Sequence, residues 1–387
     1  KKPDLTAPGA SIVAPDIQWS TGPDFTPMTG TSFSSPHVAG AMALLEGAGI
    51  GSPMAQRALL INSARDWNGT NTGLSGWTAP QAGWRPEVGW GALDLAAALA
   101  QRGNYELGSV PEGEAVFYRA SVSSGAKTTL AFERRSVWPG YPQAGSQPIL
   151  STQSNLDLRQ YTAAGVEIPP PPAFDPPMTS IDPGPDAVDP NDTVEQVRTP
   201  TTQPVTFKVE AASQVDGAAA EPFAISSAAN LTELGAPVTR PTQPLASPSG
   251  TVACGQAVTI TTTLVNDSGA LDSTSSAVGI ELPAGVELVS GSATQAVSDG
   301  TLDAGSTSEA HEWTVAVTTD GPHVVTVAGA GEGLGTPFRR SRTITLTSDC
   351  VPPDTRIDAG PGQQTNDRTP SFEFSGSGGP VSFECAI

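Results

Sequence analysis

Positive charge is scarce in this chain. Its 387 residues carry 19 Lys and Arg against 39 Asp and Glu, a formal net charge of −20. Nucleic acids and anionic membrane surfaces are held by basic patches, so this balance argues against both as partners. An acidic surface of this kind suits a protein dissolved outside the cell. Cysteine is nearly absent: Cys254, Cys350 and Cys385 are the three, and no C-x-x-C pair exists, which excludes zinc-ribbon and thioredoxin-like readings. No apolar run approaches the roughly 18 residues of a membrane span. No signal-peptide pattern is present either. The opening Lys1-Lys2-Pro3-Asp4 reads as the interior of something longer, so the chain is expected to be a fragment.

What is abundant is glycine (41) and proline (37), with much Ser, Thr and Val. That mixture favours β-sandwich modules joined by Pro-rich linkers, and the length allows two to four domains. Helical punctuation is confined to residues 1–103. Ser32 to about Glu46 is apolar nearly all round, which predicts a buried helix ended by Gly47 and Gly49. Pro36 is expected to sit in its first turn, where N–H groups are free anyway. Ser52-Pro53 reads as the cap and first residue of a second helix, and about Leu93–Ala100 as a third. From 104 onward alternation takes over, with strands expected around 117–122, 128–132, 156–159, 205–209, 258–264, 314–317 and 343–346. A Pro-rich insert spans 168–190, and 235–250 reads as a linker.

The most informative run is Gly30-Thr31-Ser32-Phe33-Ser34-Ser35-Pro36-His37-Val38-Ala39-Gly40. A serine at the mouth of a helix has free N–H groups and a favourable dipole beside it, which suits a nucleophile that must stabilise an oxyanion. Gly30 is expected to let the backbone turn sharply there, and Ala39 and Gly40 to let the helix pack closely. The run does not fit G-x-S-x-G. It resembles instead the G-T-S-x-[AS]-x-P-H-V-A-G segment of the subtilisin-like serine peptidases. Lys2-Pro3-Asp4-Leu5-Thr6-Ala7-Pro8-Gly9 and Gly89-Trp90-Gly91-Ala92-Leu93-Asp94 resemble two further segments of that family, in the right order. The resemblance covers about residues 1–103. It implies the C-terminal part of a doubly wound α/β domain with a parallel sheet, and endopeptidase chemistry through an acyl-enzyme. Ser32 would be nucleophile and backbone oxyanion donor, supported by Gly30 and Thr31.

In that family the Asp, the His and the oxyanion Asn precede the serine. Residues 1–31 contain no His and no Asn, and Asp16 and Asp24 lack the D-[ST]-G context. The three partners are therefore expected upstream. His37 lies five residues after Ser32, about 500° around a helix, and reads as structural. Asp267-Ser268-Gly269 matches D-[ST]-G but reads as a turn. His323 lacks the Gly-Thr pair expected after the family's histidine, and His311 reads as a solvated surface residue.

Residues 104–234 resemble the bacterial pre-peptidase C-terminal domain, a β-sandwich, through Phe117-Tyr118, Asn155–Leu158 and Asn191–Val197. Asp157, Asp189, Asp192 and Glu195 are candidate Ca²⁺ ligands there, against a reading as solvated turn carboxylates; no other cofactor is implied. Residues 251–351 resemble an immunoglobulin-like bacterial repeat. Cys254 and Cys350 flank it, and since first and last strands of a sandwich can adjoin, a disulfide is expected, the alternative being two reduced buried thiols. Residues 352–387 resemble the start of a further repeat, with Cys385 left over. The fold class expected is multidomain, a partial α/β subtilase-like domain followed by β-sandwich domains. The function expected is that of a secreted serine endopeptidase fragment, inactive alone, acting on protein or peptide. The alternatives are a non-catalytic adhesion or docking protein that uses the β modules on cell wall or polymeric substrate, and a pseudo-peptidase.

Overall fold

Long stretches of alternating Val, Thr and Ile between Gly- and Pro-marked turns leave strands as the dominant element. The computed structural model describes residues 2–16, 20–22, 24–67, 83–85, 87–133, 154–169, 192–213, 219–350 and 354–377. They form two compact units, residues 1–236 with 334–337 and residues 237–333 with 338–387. The linker expectation of 235–250 meets two short strands there, described below with the second unit.

The first unit opens with a hairpin, β1 (Ile12–Pro15) and β2 (Phe25–Met28). Three helices follow: α1 (Thr31–Gly47), α2 (Pro53–Ser63) and α3 (Leu95–Ala100). Ser52 caps α2, its hydroxyl accepting the Ala55 N–H at 3.3 Å, with Pro53 at the first helical position. Asp94 caps α3 in the same way. Eight strands complete the unit: β3 (Tyr105–Val110), β4 (Ala115–Val122), β5 (Lys127–Phe132), β6 (Asn155–Thr162), β7 (Val194–Arg198), β8 (Gln203–Ser213), β9 (Glu221–Ser227) and β10 (Thr232–Leu234). They make two antiparallel four-stranded sheets, β10-β4-β8-β6 and β3-β9-β5-β7. Alternate residues of both point into one core that includes Tyr118, Leu130, Phe132, Leu158, Phe207 and Phe223. Residues 170–190 of the expected insert lie outside the described residues.

The parallel sheet implied by the family resemblance is reduced, among the described residues, to one parallel bridge, Thr6 with Ala92. On its other side Ala92 pairs antiparallel with Arg65. A second departure concerns α1, which is not the buried helix its composition predicts. Ala41 and Leu45 are buried, but Leu44 is 58% exposed. Composition sets what a helix can bury; only neighbours decide what it does bury, and α1 has α2 on one side. Pro36 is the sixth residue of α1, past the first turn, so it has no N–H to return to the Ser32 carbonyl.

The second unit holds β11 (Thr239–Pro241), β12 (Leu245–Ser247), β13 (Thr251–Ala253), β14 (Ala257–Thr262), β15 (Leu264–Asn266), β16 (Thr274–Glu281) and β17 (Val286–Ser290). It continues through β18 (Thr294–Ala296), β19 (His311–Val317), β20 (Gly321–Gly333), β21 (Thr336–Asp349), β22 (Asp354–Ala359) and β23 (Glu373–Ser377). Sheets β12-β14-β19-β17 and β13-β21-β20-β16-β18 enclose Val258, Ile260, Trp313, Val315, Val325 and Val327. β13 runs parallel to the end of β21, Ala253 opposite Asp349. The next residue on each strand is a cysteine, and Cys254 and Cys350 are joined in a disulfide, with their Cα atoms 4.7 Å apart. Cys385 lies outside the described residues.

Candidate serine site at the mouth of α1

Ser32 is the second residue of α1, and its side chain is exposed. Neither its N–H nor its hydroxyl makes a hydrogen bond among the described residues. A helix start leaves its first N–H groups unpaired and carries a partial positive charge, so the hydroxyl and a free N–H share one small region of favourable potential for an anion. Thr31, the first helical residue, is exposed beside it.

Gly30 has the cap position but does not do what the sequence led one to expect. Its backbone is extended, with no side-chain cap, and a Cβ there would meet nothing closer than 3.9 Å. Gly40 likewise faces open space within 4 Å. The glycine that the turn depends on is Gly9. A Cβ at Gly9 would fall 2.2 Å from the Ser34 hydroxyl oxygen and 2.9 Å from the Gly30 carbonyl, and the Gly9 carbonyl accepts the Gly30 N–H at 2.8 Å. A second bond, from the Ser11 N–H to the Thr29 hydroxyl at 3.0 Å, closes the same contact. Reading Ala7-Pro8-Gly9 as a close-approach segment could have found this.

The strand that carries Gly9 is itself held on both sides. Its Asp4 carbonyl accepts the Trp90 N–H at 2.8 Å, Pro3 accepts the Trp84 indole N–H at 2.9 Å, and Thr6 exchanges bonds with Gly91 and Leu93. Gly89 and Gly91 make this possible. Both have positive φ, and a Cβ would meet the Asp4 carbonyl at 2.6 Å or the Arg65 carbonyl at 2.4 Å. The Asp4 carboxylate takes a two-pronged bond from Arg57, at 3.0 and 3.1 Å, and one from Lys2 at 2.7 Å. Burial pushes its pKa up, but the Arg57 and Lys2 bonds and charges outweigh that and hold the carboxyl below its usual value. A cavity of about 760 Å³ opens beside this ion pair, lined by Leu5, Val38, Met42, Met54, Ile61 and Phe132 among others.

No imidazole of the first unit faces Ser32. His37 is its one histidine, and that ring's Nδ1 lies 2.7 Å from the Phe33 carbonyl, to which it donates. Asp16 and Asp24 flank the ends of β1 and β2, the Asp16 N–H bonding the Asp24 carbonyl at 3.0 Å. In the second unit, Asp267-Ser268-Gly269 is a turn tied down by the Asn266 side chain, and the Ser268 hydroxyl accepts the Leu271 N–H at 3.0 Å. The His323 ring bonds the Thr319 carbonyl at 2.9 Å. His311, expected at the surface, is 3% exposed at the start of β19, because strand alternation turns it inward opposite Thr262; burial lowers its pKa.

The carboxylates named as calcium candidates do not converge. Glu195 accepts the Leu158 N–H at 2.6 Å, and Asp192 accepts the Thr193 N–H at 2.7 Å. Asp157 is buried on β6 opposite Glu210, its pKa pushed up by burial to about 6. Asp189 lies outside the described residues. Among the described residues no cluster of three metal-ligating side chains exists.

Comparison with known proteins places the serine segment in context. Residues 1–91 match the subtilase family model, and the match supports a subtilisin-like serine peptidase fragment. No curated protein matches the chain. Among solved structures, the GAE domain of GGA2p from Saccharomyces cerevisiae is 14% identical, covering 29% of this chain and 95% of its own, with a TM-score of 0.22. A Salmonella α2-macroglobulin is 11% identical, over 71% of this chain and 18% of its own, with a TM-score of 0.24. The VesB protease of Vibrio cholerae is 10% identical, over 63% and 99%, with a TM-score of 0.17. At such scores these likenesses carry no weight for fold or chemistry. No helix among the described residues is long and apolar enough to cross a membrane.

Proposed function

We propose that this chain carries the nucleophile-bearing part of a secreted serine endopeptidase that cleaves peptide bonds through an acyl-enzyme on Ser32. The observation that carries this reading is the position of Ser32: exposed, second in a 17-residue helix, inside the segment that matches the subtilase family. Its hydroxyl would add to the peptide carbonyl carbon, and the oxygen that takes the charge would lie against the Ser32 N–H and the positive end of α1. The Thr31 hydroxyl would support that oxygen, and the bond from the Gly30 N–H to the Gly9 carbonyl would hold the entry to the helix. Collapse of the adduct breaks the C–N bond, the amine leaving with a proton, and water then hydrolyses the ester.

The reading needs a base, an orienting carboxylate and a second oxyanion donor. Residues 1–31 offer no His or Asn, and His37 is turned to its own helix, so the proposal assigns all three to sequence before Lys1. In the same reading, residues 104–234 are a pre-peptidase C-terminal-like sandwich, 251–351 an immunoglobulin-like repeat, and 352–387 the start of another. These modules would hold polymeric substrate or cell wall outside the cell.

The test extends the chain with whatever is encoded before Lys1 and assays peptide hydrolysis and fluorophosphonate labelling, with and without Ser32→Ala. The expected loss on substitution is about 10⁴–10⁶ in rate, with labelling abolished. Unchanged hydrolysis in Ser32→Ala would remove Ser32 from the chemistry. The chain of 387 residues alone is expected to label far more slowly than the extended one.

A further inference from the structure

Among the described residues α2 is the most deeply buried helix, and it is buried from two directions. Ala55, Ala58 and Leu59 share one core with Leu45 of α1, with Trp84 and Trp90, and with Ala131, Val194 and Ala224 of β5, β7 and β9. The sheet β3-β9-β5-β7 therefore shows one face to its partner sheet and the other to α2. Polar contacts line the same seam. The Asn62 amide and the Thr129 hydroxyl meet at 3.1 Å, and Gln196 donates to that hydroxyl at 2.8 Å. Arg198 grips Asp66 through both carboxylate oxygens at 2.7 and 2.8 Å, and half-buried Lys127 donates to Asp66 and to the Ala64 carbonyl.

Arg57 stands at the end of this seam and faces both ways. Its Nε and Nη2 hold Asp4 on the strand that leads to Gly9, while its Nη1 donates to the Thr193 hydroxyl at 2.9 Å and the Phe132 carbonyl at 3.3 Å. A guanidinium is planar and rigid, so an Nη1 held by Thr193 and the Phe132 carbonyl defines where Asp4 can sit. Asp4 leads along residues 4–9 to the Gly9–Gly30 bond, and Gly30 is the cap of the helix that carries Ser32.

We infer that the two-sheet module of residues 104–233 is a fixed clamp on the serine segment, and that Arg57 is the positioning residue through which it holds the strand beneath Ser32. The module is in this view part of the hydrolase's own core, not a detachable appendage: taking it away would bare Ala55 and Ala58 and strip Asn62 of its bond to Thr129. The functional meaning rests on the reading of Ser32 as nucleophile, but the coupling itself does not.

Hydrogen exchange on the full chain tests the coupling without needing activity. Thr193→Val removes one acceptor with almost no change of shape, and Arg57→Lys keeps a charge for Asp4 but cannot reach both segments. Both are expected to speed amide exchange in residues 3–9 and at Gly30 and Phe33, whose N–H groups are bonded, by about five- to tenfold, the worth of one hydrogen bond, while strands of the second unit keep their rates. If Thr193→Val exchanges like wild type in both stretches, the clamp is refuted, whatever Arg57→Lys does. Ser32→Ala is expected to leave the exchange pattern unchanged, so loss or survival of hydrolysis in that variant judges the nucleophile separately.

Discussion

Residues 1–103 hold their core in common with the sheets that follow them, whereas the second unit closes on itself. The first has the chemistry-bearing motifs and leaves an apolar helix half uncovered; Leu44 stands in the open while Leu45 beside it is fully buried. The second encloses Trp313, Val315 and Val327 and ties the end of β13 to the end of β21 with a disulfide. The contrast separates two demands on a sequence. A reactive turn needs a few residues at fixed spacing, and those can be recognised in a short run. A stable core needs partners from distant strands, and those leave no local trace.

Three measurements sharpen the contrast. The largest effect is expected in the second unit. Cys254→Ser with Cys350→Ser should destabilise it by about 4–5 kcal/mol, from the 96-residue separation that the bridge spans. Differential scanning calorimetry should show one transition falling while the transition of the first unit stays in place; a joint fall would mean the units do not unfold independently. Next comes the first unit's reliance on close backbone approach. Gly91→Ala places a methyl against the Arg65 carbonyl from a φ of 138° and should cost about 3 kcal/mol. Gly30→Ala, in extended backbone with space around it, should cost under about 1 kcal/mol. Chemical denaturation of the two variants gives the ranking directly.

The smallest effect is a pH dependence. Asp157 has a folded pKa of about 6 against an ordinary 3.8, because burial disfavours its charged form. The folded state thus binds the extra proton between those values. Its stability is fully present below about pH 4 and falls as the pH rises through about 6, by at most about 3 kcal/mol. Asp157→Asn should flatten that slope and raise the melting temperature of the first unit above pH 6. A wild-type slope in the variant would exonerate Asp157.

The legible parts of the fold were those set by local rules. Ser52-Pro53 announced α2, and the alternation at Val258, Ile260 and Thr314–Val317 announced strands of the second unit. The parallel pairing of β13 with the end of β21 turned the expected proximity of two cysteines into a bond. In the serine segment the start of α1 was legible, and the supports around it were misread. Gly30 attracted the role that Gly9 performs, because a close approach between residues 21 apart has no signature at either one. His311 passed for a surface residue between two glutamates, since the inward turn of β19 depends on its register with Thr262. Asn62, Thr129 and Gln196 were silent for the same reason: each is an ordinary polar residue until the seam brings them together.

The bridge between Cys254 and Cys350 has a mechanical consequence. Both cysteines lie at the same end of their unit, at the places where the chain enters and leaves that stretch. Tension along the polypeptide would cross from one cysteine to the other through the sulfur atoms and would never reach the strands between. Some 96 residues, on the order of 320 Å of extended chain, are thereby exempt from load.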